Sequence, residues 1–359
     1  MAYQVLVVDD SVFMRKIISD MVGEDSRFHV AGTAKNGREA LEKVKELNPD
    51  VITMDVEMPV MDGLEALALI MKEKPTPVIM LSSLTQEGAM ETVKALERGA
   101  VDFLQKPSGS VSFDLHKVRE LLHEKLLAAV HSKVLPAWVQ DAAPEPVLPR
   151  VRQIKETSPE GSFEHLVAMG TSTGGPRALH AVISGLPADF PAPVLVVQHM
   201  PPKFTKSLAD RLNAVSPLLV KEAEDGEGVE RGKVLLAPGG YHMAMVQENG
   251  GHFRIKLTEE EPRMGHRPSV DYLFESLLPF RRLKRHIVLM TGMGSDGAKG
   301  MLALRQAGAF STTAESEESC VVYGMPRAAV HLNGAMHVQP LPRIASHLVR
   351  LTEDGIDRR

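Results

Sequence analysis

The sequence predicts an α/β protein of two domains, each built on a parallel sheet. Three observations carry that prediction. Short apolar runs alternate with amphipathic stretches through residues 1–130, and the same alternation resumes at residue 163 and continues to about residue 352. Strand–helix alternation is the pattern of a parallel sheet covered by helices. Between the two blocks, residues 131–162 carry Pro136, Pro144, Pro146, Pro149 and Pro159 with few periodic apolar positions, which reads as a linker. The chain has 359 residues, too many for one ordinary core when domains run to about 100–200 residues.

In the first block, residues 5–8, 51–54, 78–81 and 103–104 are predicted strands, with 29–33 a further candidate. Helical spacing covers 38–47, 64–72 and 87–98, and 115–130 closes the domain. In the second block, 165–169, 194–198, 233–237, 287–290 and 309–313 are predicted strands with helical stretches between them. Asn249-Gly250-Gly251 has the composition of a hairpin turn.

Composition narrows the function. Hydrophobic residues make up 43% and charged residues 24%, the balance of a soluble globular chain. A net charge of −5 offers no bulk basic field for nucleic acid or an anionic membrane. The lone cysteine, Cys320, excludes a disulfide within the chain, suits a reducing compartment and reads as apolar filler. The apolar run 5–8 has no basic leader, and no apolar run reaches the ~18 residues of a membrane span. A cytoplasmic protein is expected.

In open parallel sheets, function collects beyond the carboxyl ends of the strands. Asp9 and Asp10 follow the first strand, Asp55 follows 51–54, Ser82 follows 78–81, and Lys106 lies just past 103–104. Any one of them would serve as a helix cap or turn residue; together, in ordered positions, they point to a site. Carboxylates converging on one crevice repel unless a cation joins them, and Mg²⁺ takes hard oxygen ligands in incomplete cages. A carboxylate can also accept a phosphoryl group, whose oxygens a lysine and a hydroxyl would bind.

With Met58-Pro59-Val60-Met61-Asp62-Gly63 after Asp55, and Lys106-Pro107 near the end, residues 1–125 resemble a two-component receiver domain. The resemblance implies a flavodoxin-like, doubly wound fold with Asp55 as phosphoacceptor. It implies Mg²⁺ held by Asp9, Asp10, Asp55 and the backbone carbonyl of Glu57. Ser82 and Lys106 would sense the phosphoryl group, and Phe103 occupies the switch-aromatic position.

The second domain opens with a strand and then Gly170-Thr171-Ser172-Thr173-Gly174-Gly175-Pro176. Proline suits a first helical turn, so Ser172 falls on a strand-to-helix turn, near backbone N–H groups that could hold an oxyanion. The spacing Gly170-x-Ser172-x-Gly174 fits a nucleophile elbow, although Ser172 or Thr173 could equally cap the helix. A hydroxyl nucleophile needs a base, and His199 ends the next strand. A base needs an orienter, and Asp296 follows the strand 287–290. The order Ser172, His199, Asp296 differs from the serine–acid–histidine order of α/β-hydrolases, so that fold is not inferred. Gly292-Met-Gly294-Ser-Asp-Gly297, with Glu315 ending the following strand, offers a dinucleotide-site alternative, one that leaves Ser172 and His199 unexplained.

The motifs Gly170–Pro176, Gln198-His199-Met-Pro201, Ala237-Pro-Gly-Gly-Tyr-His242, Arg267-Pro-Ser-Val-Asp271, Thr291–Gly297 and Tyr323-Gly-Met-Pro326 make residues 163–352 similar to the catalytic domain of the chemotaxis methylesterase family, CheB. The resemblance implies Ser172 as nucleophile, His199 as base and Asp296 as orienter. It puts Thr173 and Met293 beside the reacting centre, with the Met293 N–H as an oxyanion donor. It implies an esterase domain without a cofactor, acting on glutamyl γ-methyl esters and glutamine amides of methyl-accepting chemoreceptors, and a chemotaxis histidine kinase as phosphodonor. His242 and Asp271 are assigned to packing. A receiver joined to a module that only binds a partner is the alternative, and ester hydrolysis by the second domain separates the two.

Overall fold

Runs of Val, Leu, Ile and Met form the central strands of two separate parallel sheets. The computed structural model describes residues 2–83, 85–106, 114–133, 163–248 and 250–353. The chain divides into Met1–Ala143 and Pro144–Arg359. That division falls inside the predicted linker, of which residues 134–162 lie outside the described ones, as do Pro107 and Asn249.

The first unit runs β1 (Tyr3–Val8), α1 (Val12–Gly23), β2 (Phe28–Ala34), α2 (Gly37–Leu47), β3 (Val51–Asp55), α3 (Gly63–Glu73), β4 (Val78–Ser82), α4 (Gln86–Glu97), β5 (Asp102–Gln105) and α5 (Asp114–Val130). Its strands pair in parallel in the order β2-β1-β3-β4-β5. This is the flavodoxin-like order, with its switch point between β1 and β3. Helix starts follow local chemistry. Ser11, Asn36, Asp62 and Thr85 each accept a first-turn N–H through the side chain, at Met14, Glu39, Glu65 and Gly88. Gly63 is a steric requirement: a Cβ there would lie 2.1 Å from the Asp55 carbonyl oxygen.

The second unit runs β6 (His165–Thr171), α6 (Gly175–Ser184), β7 (Val194–Gln198), α7 (Phe204–Val215), β8 (Leu219–Glu222), β9 (Lys233–Leu236), β10 (His242–Gln247), β11 (Phe253–Thr258), α8 (Val270–Ser276), β12 (Lys284–Leu289), α9 (Ala298–Gln306), β13 (Ser311–Glu315), α10 (Met325–His331), β14 (His337–Gln339) and α11 (Leu341–Glu353). The main sheet is parallel in the order β14-β13-β12-β6-β7-β9-β8. The chain moves outward from β6 through β7, then returns to build β12, β13 and β14 on the other side. The carboxyl end of β6 is therefore a switch point, where side chains from several strands can meet. β10 and β11 pair antiparallel around the predicted hairpin turn.

In this unit two predicted strands begin away from their expected starts, and β8 and β14 have no counterpart in the prediction. β12 begins at Lys284 rather than at 287, because Arg285 and His286 are fully buried with polar partners. The Arg285 guanidinium donates to the carbonyls of Leu277 and Ala307 at 3.2 and 2.9 Å. β13 begins at Ser311 rather than 309, after Gly308 closes α9 at φ 78°. Ser311, Thr312 and Thr313 are nevertheless buried, since both faces of this sheet are covered. Cys320 is buried, as expected of filler.

Candidate active site and carboxylate cluster

Ser172 is the first residue beyond β6 and His199 the first beyond β7. Thr171 and Gln198 are register partners, and the His199 N–H donates to the Thr171 carbonyl at 3.1 Å, so the two residues leave adjacent strands side by side. The Ser172 turn is tight: Gly175 N–H donates to the Ser172 carbonyl at 2.8 Å, and Gly174 adopts φ 78°. The loop after β12 closes onto it. Ser172 N–H donates to the Thr291 carbonyl at 3.0 Å, and a Cβ on Gly292 would lie 2.7 Å from the Ser172 Cβ. The motif glycine thus permits close approach to the serine. Met293 follows directly. Gly292 is pinned on its far side, its N–H donating to the Val322 carbonyl at 3.0 Å and its carbonyl accepting from Met325 N–H at 2.9 Å. Thr173 is buried and its carbonyl accepts from the Thr291 hydroxyl at 2.9 Å.

His199 and Asp296 meet through Nε2 and Oδ2 at 2.8 Å, both side chains nearly buried. The ionised carboxylate accepts a hydrogen bond from Nε2–H, which leaves the lone pair on Nδ1. That atom is buried and has no hydrogen-bond partner among the described residues. His266 lies flat on the same ring, centroids 3.8 Å apart and planes 9° from parallel.

Asp296 was also a candidate cap for the helix after it. The cap of α9 is Gly297 instead, and Asp296 serves α8. It accepts from Val270 N–H at 2.7 Å, Asp271 N–H at 2.9 Å and the Ser269 hydroxyl at 2.9 Å. Burial alone would raise its pKa, but His199 and the α8 N–H groups outweigh it and hold the carboxyl at about 2. Asp271 returns the favour across the two helices by accepting Gly300 N–H, in the first turn of α9, at 2.7 Å. Burial, helped by the Asp296 charge, pushes Asp271 up to about 6. His242 stacks on Tyr272 at 4.5 Å and accepts the Ser269 N–H at 3.2 Å. Both residues thus support the orienter as well as packing. The signal available in sequence was an acidic residue in a first helical turn, which does not say whose N–H it serves.

The dinucleotide alternative fails on geometry. Glu315 is fully buried and already accepts from Thr291 N–H at 2.8 Å and the Ser319 hydroxyl at 2.9 Å, so it is not free for a ribose. The α9 N-terminus that would meet a pyrophosphate is occupied by Asp271.

In the first unit, carboxylate oxygens of Asp9, Asp10 and Asp55 lie within 4.8 Å of one another. Lys106 Nζ bridges Asp9 at 2.8 Å and Asp55 at 2.6 Å. Burial raises Asp55 to about 6; Lys106 opposes that shift, while Asp9 and Asp10 add to it. Three hard oxygen donors crowded at this distance are the set a Mg²⁺ ion suits, and its charge would relieve their repulsion. Glu57 is exposed and lines the same cleft, of about 480 Å³, with Asp10, Asp55 and Lys106. The hydrogen bonds of the Ser82 hydroxyl go elsewhere than to these carboxylates. It is tied to α4, accepting from the Thr92 hydroxyl at 2.7 Å and donating to the Gly88 carbonyl at 3.2 Å, while Ser83 lines the cleft. Phe103 is buried in β5 with the Lys125 ammonium 5.7 Å from its ring centre.

Comparison with known proteins matches each unit to a family. Residues 167–348 match the family described as CheB methylesterase, and residues 5–115 match the response regulator receiver domain. The protein-glutamate methylesterase/protein-glutamine glutaminase of Geobacillus kaustophilus is 50% identical over 348 residues, covering 97% of this chain and 98% of its own. The enzyme of the same name from Bacillus subtilis is 48% identical over 347 residues, covering 96% and 97%. The crystal structure of the Thermotoga maritima CheB methylesterase catalytic domain is 43% identical with a TM-score of 0.51, covering 53% of this chain and 100% of that one.

Proposed function

This chain belongs to the CheB methylesterase family, and from that premise we propose a residue-level account of a protein-glutamate methylesterase and protein-glutamine glutaminase controlled by a receiver domain. The observation that carries the account is the Asp296–His199 pair at 2.8 Å, set beside Ser172 at the carboxyl edge of one sheet. Residues 1–130 are assigned to the receiver, 131–162 to the linker and 163–352 to the esterase.

Ser172 Oγ attacks the γ-carbonyl carbon of a glutamyl methyl ester as His199 Nδ1 takes its proton. The Asp296 carboxylate holds Nε2–H and stabilises the imidazolium. Backbone N–H groups at Thr173 and Met293 face the oxyanion. The tetrahedral species collapses, the C–O bond to methanol breaks, and His199 returns the proton to the leaving methoxide. Water, deprotonated by His199, then cleaves the acyl-serine and leaves glutamate. With a glutamine side chain the same steps expel ammonia.

Asp55 is the acceptor of a phosphoryl group from a chemotaxis histidine kinase, and the substrates are methyl-accepting chemoreceptors. Asp9, Asp10, Asp55 and the Glu57 carbonyl would hold Mg²⁺, which supplies positive charge to the transferring phosphoryl oxygens. Lys106 pairs with the phosphoryl group once it is formed, and Ser82, after release from Thr92, joins it. Phe103 is the ring whose position follows Ser82. No helix among the described residues is long and apolar enough to cross a membrane, and we assign the chain to the cytoplasm, without a nucleic-acid partner.

Methanol release from methylated receptor tests the account. Ser172→Ala is expected to lose roughly 10⁴–10⁶ in turnover while remaining folded and phosphorylatable. Asp55→Asn is expected to keep its basal rate but no longer respond to a small-molecule phosphodonor. Near-normal turnover by Ser172→Ala would sink the serine mechanism.

A further inference from the structure

The register between β6 and β7 ends at Thr171 opposite Gln198, and one backbone bond, from His199 N–H to the Thr171 carbonyl, closes the ladder. Beyond that rung the chains part. Ser172 turns toward α6, and His199 leads into Met200-Pro201-Pro202. A side chain takes over where the sheet stops. The buried Gln198 carboxamide donates from Nε2 to the Ser172 carbonyl at 2.9 Å and to the His199 carbonyl at 3.2 Å. Its Oε1 accepts from the Thr171 hydroxyl at 2.6 Å. Only the NH₂ end can face two carbonyl oxygens, so these neighbours fix which way the amide points. The space is reserved for it: a Cβ on Gly175 would lie 1.8 Å from Gln198 Oε1.

We propose that Gln198 is a positioning residue of the esterase, its carboxamide acting as one more rung of the sheet that sets the separation between the nucleophile Ser172 and the base His199. This rests on the roles given above to those two residues. A nucleophile and its base must come within about 2.6–3.2 Å in the reacting complex, and a misplacement of about 1 Å costs on the order of 10²-fold. The imidazole is oriented by Asp296 from one side. Gln198 is the side chain that ties its main chain to that of Ser172 from the other. Removing the carboxamide leaves buried polar groups at Thr171, Ser172 and His199 without that partner.

The test uses the full-length protein with phosphodonor and methylated receptor, with rates expressed per serine titrated by a fluorophosphonate. Gln198→Met keeps the length and removes every hydrogen bond. Gln198→Glu keeps an acceptor for Thr171 but turns a carboxylate oxygen toward two carbonyls. Both are expected to lower kcat by about 10- to 100-fold with KM within about twofold. The acid limb of the pH–rate profile stays in place, because Asp296 still holds the imidazole. Thr171→Val, which removes one of the three carboxamide bonds, is expected to lose only a few-fold in kcat by the same reasoning about misplacement. It carries the test if the Gln198 variants do not fold. A folded Gln198→Met with wild-type kcat per titrated serine, or an unchanged kcat in Thr171→Val, overturns the proposal. Full activity in Ser172→Ala, read in the same assay, would bring down the serine assignment and this inference with it. Failure of Gln198 alone would leave that assignment standing.

Discussion

Asp296 accepts hydrogen bonds from an imidazole, a hydroxyl and two helical N–H groups, and it is 2% exposed. Those donors explain why the carboxyl stays ionised at about 2 despite its burial. The folded pKa lies below the ordinary 3.8, so the stabilisation from this group is present above that value and disappears as pH falls toward 2. Asp296 therefore remains an anion throughout any range in which the enzyme works. Asn at this position would turn an NH₂ toward Nε2 and Val270 N–H, or toward the Ser269 hydroxyl and Asp271 N–H, so a donor faces a backbone donor whichever way it turns. Asp296→Asn is expected to lower kcat by roughly 10³–10⁴, less than removal of the serine, with KM little changed. Steady-state methanol release measures it, and a loss under tenfold would mean that another group orients His199. Asp296 itself was legible in the sequence because it ends a glycine-rich motif after an apolar strand. Its partners were not, because Ser269 and Asp271 are distant in sequence and carry no spacing that announces them.

At the scale of elements, α8 and α9 cap each other. Asp296, just before α9, satisfies the first N–H groups of α8, and Asp271, on α8, satisfies Gly300 in α9. The orienter is thereby locked into the packing of two helices. Asp271→Ala should cost about 0.5–2 kcal/mol, the range of a lost helix cap, and should lower turnover through Asp296. Asp271→Asn keeps an acceptor for Gly300 and loses the charge that repels Asp296, so it should recover most of the stability. Urea unfolding of the two variants checks the order, and equal destabilisation by Ala and Asn would show that the charge, not the cap, matters. Most receiver elements were read from sequence to within a residue or two, because their apolar runs are bounded by polar strand ends and capped helix starts, but α1 (Val12–Gly23) was not predicted. β8 and β14 were missed. Leu219–Glu222 and His337–Gln339 are short edge strands whose pairing is decided by their neighbours rather than by their own periodicity. The polar start of β12 hid for a related reason. Arg285 and His286 read as loop until their buried partners are known, whereas the Ser-Thr-Thr run fell inside the predicted strand 309–313 and only its bounds moved.

Across the whole catalytic unit, the reactive groups gather at the carboxyl edge of the sheet and a different chemistry sits at the amino edge. There His165 Nδ1 meets His286 Nε2 at 2.9 Å, and His286 Nδ1 meets the Ser311 hydroxyl at 2.9 Å. Burial, aided by His165, His347 and Lys284, depresses His286 to about 3, and burial also lowers His165 and His347. A folded pKa below the unfolded value of 6.5 means that the unfolded chain binds the extra proton, so stability is full above 6.5 and declines as pH drops through the window down to about 3. For His286 the decline between pH 7.5 and 5.5 is on the order of 1 kcal/mol. Asp271, raised to about 6, pulls the other way in the same range, so the comparison that isolates His286 is the difference between wild type and His286→Gln. Chemical denaturation at the two pH values should show a shallower loss in the variant by about that amount; identical slopes would mean that His286 does not titrate on unfolding. The spatial division has a practical side for anyone adapting the enzyme. Mutations that harden an enzyme usually tax its activity when both properties draw on the same residues. Here the buried-histidine share of acid tolerance sits at one rim of the sheet and turnover at the opposite rim, so that share and turnover can be selected in separate libraries and then combined.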